Sequence, residues 1–258
     1  MNGISNIKNK IIVMSGKGGV GKSTVSSNLA VSLMLKGYKV GILDVDIHGP
    51  SIPTIFGVEN KKAYGDENGM EPICFGDNLK IISIGFFVDD MDAAIVWRGP
   101  AKANFIKQFI ENVSWGELDY LVVDCPPGTG DEPLSVIQMM NNDVMGLVVT
   151  TPQKLAVADV RRSIDFCKKM RIPVVGVVEN MSGFVCPECN KVVDVFKTGG
   201  GEKMANDMRV PFIGRIPYDK EIMESCDEGK PFLYYYSQTK TAEVMEKIIE
   251  PVLRVSKK

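Results

Sequence analysis

The stretch GKGGVGKS, residues 16–23, decides the fold of this 258-residue chain. It matches the pattern G-x-x-x-x-G-K-[S/T] at every fixed position, and it lies between an apolar run and a segment with helical periodicity. Its four glycines let successive backbone N–H groups turn inward around phosphate oxygens. The helix that follows would point the positive end of its dipole at the same anion. The stretch therefore predicts a nucleotide phosphate loop.

Residues of this loop have separate predicted roles. Lys22 is expected to contact the β- and γ-phosphates of ATP, and the Ser23 hydroxyl is expected to bind Mg²⁺. The other predicted nucleotide contacts come from the loop and the first helical turn: Gly16, Lys17, Gly18, Gly19, Val20, Gly21 and Thr24. An ordinary glycine-rich turn is the alternative, but the complete motif in a strand-to-helix context favours the nucleotide site.

Short apolar runs rich in β-branched residues recur along the chain, and they suit strands buried on both faces of a parallel sheet. The runs are residues 10–14, 39–43, 81–84, 120–123, 146–149, 173–178 and 212–213. Helical periodicity lies between them, over residues 24–36 and 154–170. This alternation predicts one doubly wound α/β domain over residues 1–258, with a mostly parallel sheet and helices on both faces.

Two peripheral segments carry weaker signals. Residues 59–76 are polar and glycine-rich, and they are interpreted as a surface excursion. The C-terminal stretch 241–258 is amphipathic, which could indicate a membrane anchor. Its acidic residues oppose attraction to anionic lipid, and Pro251 is expected to interrupt the helix, so a packed C-terminal helix is favoured.

Composition excludes several classes of protein. The net charge of −2 offers no electrostatic case for a nucleic-acid partner. No stretch approaches the roughly 20 apolar residues of a membrane span, and the apolar run near the N-terminus is too short for a secretion signal. The chain is therefore predicted to be cytoplasmic and to bind neither nucleic acid nor membrane. Thiols stay reduced there, so its six cysteines do not indicate a disulfide scaffold.

Two aspartates are predicted to complete the nucleotide site. Asp124 ends the apolar run in YLVVDCPPGTGD, where a carboxylate can hold a magnesium-bound water. Asp46, in LDVDIHGPS, follows another predicted core strand and is placed to orient or activate the attacking water. Ligands of open α/β sheets bind outside the carboxyl ends of the strands, which is where both residues should lie. Asp44 is interpreted as structural.

Lys17 follows the first glycine of the loop, a position where an ordinary phosphate loop requires no lysine. Lys17 and Lys22 together resemble the deviant Walker A motif of the MinD-type ATPases. The resemblance implies a dimer in which Lys17 reaches the partner's phosphates, much as an arginine finger is supplied in trans.

The segment GFVCPECNK, residues 183–191, contains a Cys-x-x-Cys pair, Cys186 and Cys189. A redox pair, half of a zinc site and two small packing residues are all compatible with this spacing. The redox interpretation is weakened because no helix is predicted to start there. The remaining cysteines are scattered, so one chain does not offer four ligands. In a two-fold dimer the same pair occurs twice, and four thiolates suit either Zn²⁺ or a [4Fe–4S] cluster.

Four motifs together resemble the Mrp/ApbC family of iron–sulfur cluster carrier ATPases: ENMSGFVCPEC, VWRGP, DCPPGTGDE and PFIGRIPYD. The resemblance implies an ATPase homodimer that holds a [4Fe–4S] cluster on Cys186 and Cys189, in a loop near residues 181–201. It further implies that the protein receives the cluster from a donor and passes it to apo-proteins. Asn180 is then expected to read the adenine edge, and Pro217 to flank the base.

The chain departs from the family pattern at a few positions. Asn190 stands where glycine is common after the second cysteine, Lys197 where glycine is usual, and Ala101 where methionine is usual. Rival interpretations are a MinD- or ParA-like positioning ATPase acting on membrane or DNA, and a zinc-stapled dimeric scaffold that binds nucleotide without turnover. Amide-bond-forming ATPases are a further alternative, but they have no evident use for the cysteine pair.

Overall fold

The computed structural model describes residues 4–47, 49–66, 69–87, 106–107, 109–186, 192–194 and 197–255. Its strands are β1 (Ile7–Ser15), β2 (Val40–Asp44), β3 (Gly65–Asp66), β4 (Gly69–Met70), β5 (Ile73–Phe75), β6 (Leu79–Ser83), β7 (Leu118–Asp124), β8 (Met145–Thr150), β9 (Val174–Glu179), β10 (Phe184–Val185), β11 (Val192–Val193) and β12 (Phe212–Arg215). Its α-helices include α1 (Lys22–Leu35), α2 (Ile52–Ile55), α3 (Asp131–Met139), α4 (Lys154–Lys169), α5 (Gly200–Met208), α6 (Lys220–Asp227), α7 (Phe232–Tyr235) and α8 (Lys240–Val255).

Eight strands form the main sheet, in the order β12-β9-β8-β1-β7-β2-β6-β5. All neighbouring pairs are parallel except β5 with β6. Each of the seven predicted strands overlaps one of these strands, and the two predicted helices are α1 and α4. The predicted doubly wound, mostly parallel α/β fold is confirmed.

The central strands explain why their sequence is continuously apolar. Along β1, Ile11 and Val13 pack into the core beneath α1 and α8, whereas Ile12 and Met14 pack into a second core on the opposite face. Successive side chains of a strand point to opposite faces, so a strand covered by helices on both sides needs apolar residues at every position. β1 therefore carries the phosphate loop at the end of a strand that is covered on both faces.

The segment 59–76 differs from its prediction. It begins on the surface, but it ends in β5, which joins the main sheet as an antiparallel edge strand beside β6. The signal was weak because β5 has only three residues and is preceded by the small polar hairpin of β3 and β4. Phe75 fixes β5 to the core, and its ring meets that of Phe56 edge-on at 5.0 Å between centroids.

α8 continues through Pro251, so the expectation that proline interrupts this helix was wrong. Proline removes the hydrogen bond to the carbonyl four residues earlier, but the apolar face of α8 holds the last turn in place. Met245, Ile248 and Val252 of that face are buried against β12, β9 and α1. The predicted packed C-terminal helix is confirmed. Among the helices that the structure describes, none is long and apolar enough to cross a membrane.

Candidate functional site

The phosphate loop connects the end of β1 to the start of α1, and its glycines are required by close contacts. Gly21 has a positive φ of 80°, and a Cβ on it would lie 2.1 Å from Nδ2 of Asn180. A Cβ on Gly16 would lie 2.4 Å from the backbone carbon of Asp159 in α4. The loop is thus wedged between α4 and the chain that leaves β9. Only residues without a side chain fit at these two positions.

A buried ion-pair network lies directly beneath the loop. Nζ of Lys22 is 2.7 Å from Oδ2 of Asp124 and 3.5 Å from Oδ2 of Asp46. Asp124 is fully buried and accepts hydrogen bonds of 2.6 Å from both Ser23 and Ser26. The register explains this assembly, because Asp124 ends β7 beside Val13 of β1.

The network keeps the lysine charged. Burial by itself would lower the pKa of Lys22, but the carboxylates of Asp124 and Asp46 outweigh that effect and raise its pKa. A permanent ammonium group therefore lies at the point where the loop would receive phosphate oxygens. Ser26, which sequence reasoning missed, completes the anchor of Asp124. The available signal was a serine one helical turn after Lys22, on the same face of α1.

Asp44 supports the segment that contains Asp46. Its carboxylate accepts hydrogen bonds from Ser83 Oγ at 2.8 Å, from the Asp46 backbone N–H at 3.1 Å and from the Ile52 backbone N–H at 3.4 Å. Complete burial is the main cause that raises the pKa of Asp44, and the negative charge of nearby Asp124 raises it further, to about 7. These contacts agree with the structural role predicted for Asp44.

Two adjoining cavities open around the loop. The phosphate-loop cleft has a volume of about 500 Å³, and Lys17, Lys22, Ser23 and Asp46 line it. The side pocket has a volume of about 250 Å³. It is lined by Thr24, Asn180, Met181, Pro217, Tyr218, Asp219, Ile222, Met223, Cys226 and Asp227. Thr24, Cys226 and Asp227 border both spaces, so the two form one continuous depression.

The side pocket has the chemistry of a site for a flat heterocycle. Met181, Ile222 and Met223 supply apolar and polarizable walls. Asn180 supplies a polar edge, and its Nδ2 donates a 2.9 Å hydrogen bond to the Val20 carbonyl of the phosphate loop. The structure thus places Asn180 and Pro217 beside the loop, in the same depression as Lys22.

Lys17 lies at the outer side of the loop. It borders the phosphate-loop cleft and a smaller space of about 100 Å³ next to Thr151, Gln153 and Met181. Within the part of the chain that the structure describes, no hydrogen bond or ion pair involves its ammonium group. Its geometry therefore differs from that of Lys22, whose ammonium group is committed to carboxylates of its own chain.

Oxygen ligands for a divalent cation converge at the loop. The Ser23 hydroxyl and the Asp124 carboxylate are 2.6 Å apart, and Asp46 lies across Lys22 from them. Hydroxyl and carboxylate oxygens are the ligands that Mg²⁺ prefers, and Mg²⁺ usually completes its shell with phosphate oxygens and water. These residues fit the predicted magnesium role of Ser23.

Cys186, the first cysteine of the pair, belongs to a hairpin beside the side pocket. β10 and β11 pair antiparallel, and Cys186 follows β10 directly and is half-buried. Cys189 lies outside the described residues. The Tyr218 backbone N–H donates to the Gly183 carbonyl at 2.7 Å, and the rings of Phe184 and Tyr218 meet edge-on at 6.2 Å. The hairpin is therefore attached to the same loop that lines the side pocket.

The other cysteines have different surroundings. Cys125 and Cys167 are fully buried, and burial raises the pKa of both thiols, for Cys167 to about 11. Cys226 borders both cavities, with its sulfur 3.9 Å from the Thr24 hydroxyl, a position that no sequence signal indicated. Cys74 is exposed on the edge strand β5. Among the described residues, no group of three or more histidine, cysteine or acidic side chains could hold a metal ion.

A family model described as ParA: NUBPL iron-transfer P-loop NTPase matches residues 6–253. The chain belongs to this family. It is 49% identical over 250 residues to the iron–sulfur cluster carrier protein of Methanocaldococcus jannaschii, covering 97% of this chain and 86% of that protein. It is 45% identical over 260 residues to the cytosolic Fe-S cluster assembly factor CFD1 of Kluyveromyces lactis, covering 97% of this chain and 92% of that one. These relatives confirm the resemblance to the iron–sulfur cluster carrier ATPases.

Solved structures agree with this membership. A nucleotide-binding protein from Archaeoglobus fulgidus, determined in complex with ADP, is 40% identical and superimposes with a TM-score of 0.78 over 90% of each chain. The cell division ATPase MinD of Pyrococcus furiosus is 24% identical, with a TM-score of 0.70 over 96% of this chain and 99% of that one. The second likeness shows the shared P-loop NTPase fold.

Proposed function

We propose that this protein is an ATP-hydrolysing carrier that binds a [4Fe–4S] cluster at a homodimer interface and transfers it to apo-proteins. One observation carries the proposal. The Lys22–Asp124–Ser23 network lies at the phosphate-loop cleft, which is continuous with the side pocket, and the hairpin of Cys186 contacts Tyr218 of that pocket. The chain is 49% identical to a named iron–sulfur cluster carrier. A single domain over residues 1–258, with a metal loop near residues 181–201, would contain both sites.

The phosphate-loop cleft is the proposed site of ATP hydrolysis. Lys22 would exchange its contact with Asp124 for the β- and γ-phosphates, because both partners attract the same ammonium group. Ser23 and Asp124 would hold Mg²⁺, which when bound neutralises charge on the phosphate oxygens. Asp46 would orient the attacking water, since its carboxylate borders the cleft and lies 3.5 Å from Nζ of Lys22.

Two further elements complete the proposed nucleotide site. The side pocket would take the adenine base, with Asn180 at its polar edge and Pro217 beside its face. Lys17 would stabilise charge on the γ-phosphate of the partner subunit. Its lack of a partner for the ammonium group among the described residues supports that role, because a lysine held in its own chain could not reach across an interface.

The cysteine hairpin is the proposed cluster site. Two copies of Cys186 and Cys189 would supply the four thiolates of a [4Fe–4S] cluster on a two-fold axis. The half-buried position of Cys186 suits a ligand that a client protein or a cluster donor must approach. We propose the cytoplasm as the location, where thiols remain reduced; the relative from Kluyveromyces lactis is named a cytosolic factor.

Anaerobic reconstitution with iron and sulfide tests the cluster assignment. Iron per dimer is measured for the wild type, for Cys186→Ala and for Cys74→Ala, a matched control that removes an exposed thiol far from the hairpin. We expect about four iron atoms per dimer in the wild type and in Cys74→Ala, and a loss of at least about tenfold in Cys186→Ala. Equal iron in Cys186→Ala and the wild type would refute the cluster site.

A further inference from the structure

Glu179, the last residue of β9, carries a fully buried carboxylate that the proposed chemistry does not use. Its Oε1 accepts hydrogen bonds from Ser182 Oγ, from the Gly199 backbone N–H at 2.9 Å and from Arg215 Nε at 3.3 Å. Its Oε2 accepts from the Gly201 backbone N–H. Both oxygens are thus occupied, as the burial of a charge requires.

The donors come from a helix N-terminus built around this carboxylate. Gly199 caps α5 in a left-handed conformation, and Gly201 belongs to its first turn. The first N–H groups of a helix lack partners within the helix, and the positive end of its dipole stabilises an anion. A Cβ on Gly201 would lie 3.0 Å from Oε2 of Glu179 and 2.9 Å from Cγ2 of Thr150. The missing side chain therefore lets the helix approach the acid.

These contacts hold both ends of the cysteine hairpin. The chain leaves β9 at Glu179, passes Ser182, continues through β10 to Cys186, and returns through β11 to Gly199. Ser182 lies on the outgoing side and Gly199 on the returning side, and the same carboxylate oxygen accepts from both. One buried acid thus closes the base of the segment that carries Cys186.

The next residue connects this base to the nucleotide site. Asn180 donates to the Val20 carbonyl of the phosphate loop, and its own backbone N–H donates to Thr150. Glu179 and Asn180 are consecutive, so the support of the hairpin and a contact to the phosphate loop share one peptide unit. A displacement of either side chain would move the backbone that holds the other.

We propose that Glu179 is the positioning residue of the cysteine hairpin, fixing the place of Cys186 relative to the phosphate loop. It acts by clamping the two ends of the hairpin together. The clamp itself is a property of the protein without any ligand; its consequence for a cluster rests on the proposed function.

Hydrogen exchange of the protein without cluster or nucleotide tests the clamp. Glu179→Gln keeps the size of the side chain, but its one acceptor oxygen cannot replace both carboxylate oxygens, so the variant loses either the hydrogen bond from Gly201 or the hydrogen bonds to the other oxygen. We expect exchange about tenfold faster in peptides covering residues 181–186 and 197–204, with β1 and β7 unchanged. Glu202→Gln is the control, because it removes the half-exposed second carboxylate partner of Arg215 and leaves Glu179 intact. Wild-type exchange in both segments, or an equal rise throughout the chain, would overturn the clamp.

A second variant tests the clamp between the two ends of the hairpin even if Glu179→Gln does not fold. Ser182→Ala removes one donor on the outgoing side, and the clamp predicts faster exchange on the returning side as well, at residues 197–204. Ser32→Ala deletes another buried hydroxyl, in α1, and should leave both segments unchanged. Exchange that rises only at residues 181–186 in Ser182→Ala would show independent ends and overturn the clamp.

Cluster retention separates this inference from the function on which it rests. After reconstitution, iron should be lost to a chelator about tenfold faster from Glu179→Gln, or from Ser182→Ala where the first variant does not fold, than from Glu202→Gln. Equal rates would refute the positioning of the cluster by Glu179. Full iron retention by Cys186→Ala would refute the cluster site instead, and the exchange results on the clamp would be unaffected.

Discussion

The nucleotide region and the cysteine hairpin are built in opposite ways. Around the phosphate loop, Lys22 and Asp124 are buried, carry opposite charges and pair with each other within one chain. The hairpin consists of two strands of two residues, and its first cysteine is half-buried. The nucleotide site thus draws its groups from the ends of central strands, whereas the described residues of the hairpin contact the rest of the domain at its base and along the loop of Tyr218.

This difference bears on what a second subunit would contribute to each site in the proposed dimer. At the nucleotide site, Lys22 pairs with Asp124 of its own chain, whereas the Lys17 ammonium group makes no hydrogen bond or ion pair among the described residues. Among the residues that the structure describes, no group of three or more histidine, cysteine or acidic side chains could hold a metal ion. The proposed dimer would bring a second copy of Cys186 and Cys189 to the cluster and a second Lys17 to the phosphates.

Lys22→Ala should produce the largest effect and should affect only the nucleotide region. Removing the ammonium group takes away the charge that stabilises the transferring phosphoryl group, so ATP turnover should fall about 10³-fold. Iron content after reconstitution should equal that of the wild type. Lys36→Ala, which removes a surface lysine paired with Glu246, is the control and should keep both properties. Loss of the cluster in Lys22→Ala would show that the two regions are not separable.

Asp44 should give the next largest effect, on the pH dependence of stability. Its pKa of about 7 in the folded protein exceeds the ordinary value of 3.8, so between pH 4 and pH 7 the folded protein keeps a proton that the unfolded chain has lost. The free energy of unfolding contributed by Asp44 therefore falls as the pH rises through this window, by on the order of 3 kcal/mol.

Denaturant unfolding of the nucleotide-free protein at pH 4, 5.5 and 7 measures this contribution. The wild type should lose stability relative to Asp44→Asn as the pH rises, because the variant cannot ionise at this position. Parallel curves for the two proteins would contradict the raised pKa. The result concerns the nucleotide region alone, since Asp44 supports Asp46 and α2.

Gly21→Ala should destabilise the contact between the loop and Asn180. The positive φ of Gly21 and the distance of 2.1 Å from a Cβ to Nδ2 of Asn180 predict a loss of about 2 kcal/mol in the free energy of unfolding. Gly18→Ala is the matched control in the same loop, because a Cβ there meets nothing within 4 Å. Thermal unfolding of the nucleotide-free protein measures both. Equal melting temperatures would contradict the observed wedging of the loop.

Tyr218→Leu should have the smallest effect, and it tests the connection between the two regions. Loss of the edge-on contact with Phe184 should cost about 1 kcal/mol, and amide exchange at residues 181–186 should rise about fivefold. Tyr38→Leu breaks a comparable ring pair with Tyr120, far from the hairpin, and serves as the control. An unchanged hairpin in Tyr218→Leu would show that the ring contact does not hold the hairpin to this loop and that backbone contacts, such as Tyr218 to Gly183, suffice.

The sequence was informative where local pattern and structure coincide. The apolar runs located the seven strands of the parallel sheet, and the GKGGVGKS motif located the loop, because both depend on neighbouring residues alone. β5 escaped the pattern since three residues are too few to show a period. Pro251 predicted a break in α8 that does not occur, because burial of Ile248 and Val252 outweighs the lost hydrogen bond.

Residues whose role depends on distant partners could not be predicted in the same way. Glu179 is the first residue of the motif ENMSGFVCPEC, whose functional signal comes from its two cysteines. Nothing near Glu179 in the sequence indicates that Gly199 and Arg215 donate hydrogen bonds to its carboxylate. Cys226 borders the cavities because α6 packs against α2 and brings the Cys226 sulfur to Thr24 of α1. Such contacts arise from the three-dimensional fold, so the pattern along the chain does not reveal them.

Transfer of a reconstituted cluster to an apo-protein that requires [4Fe–4S] tests the central claim most directly. The activity recovered by the apo-protein is followed with and without Mg-ATP, for the wild type and for Lys22→Ala. The account predicts that Mg-ATP changes the rate of transfer from the wild type by at least about tenfold, and that Lys22→Ala transfers at one rate in both conditions. A wild-type transfer rate and cluster affinity that are both unaffected by Mg-ATP would contradict the coupling of the two sites.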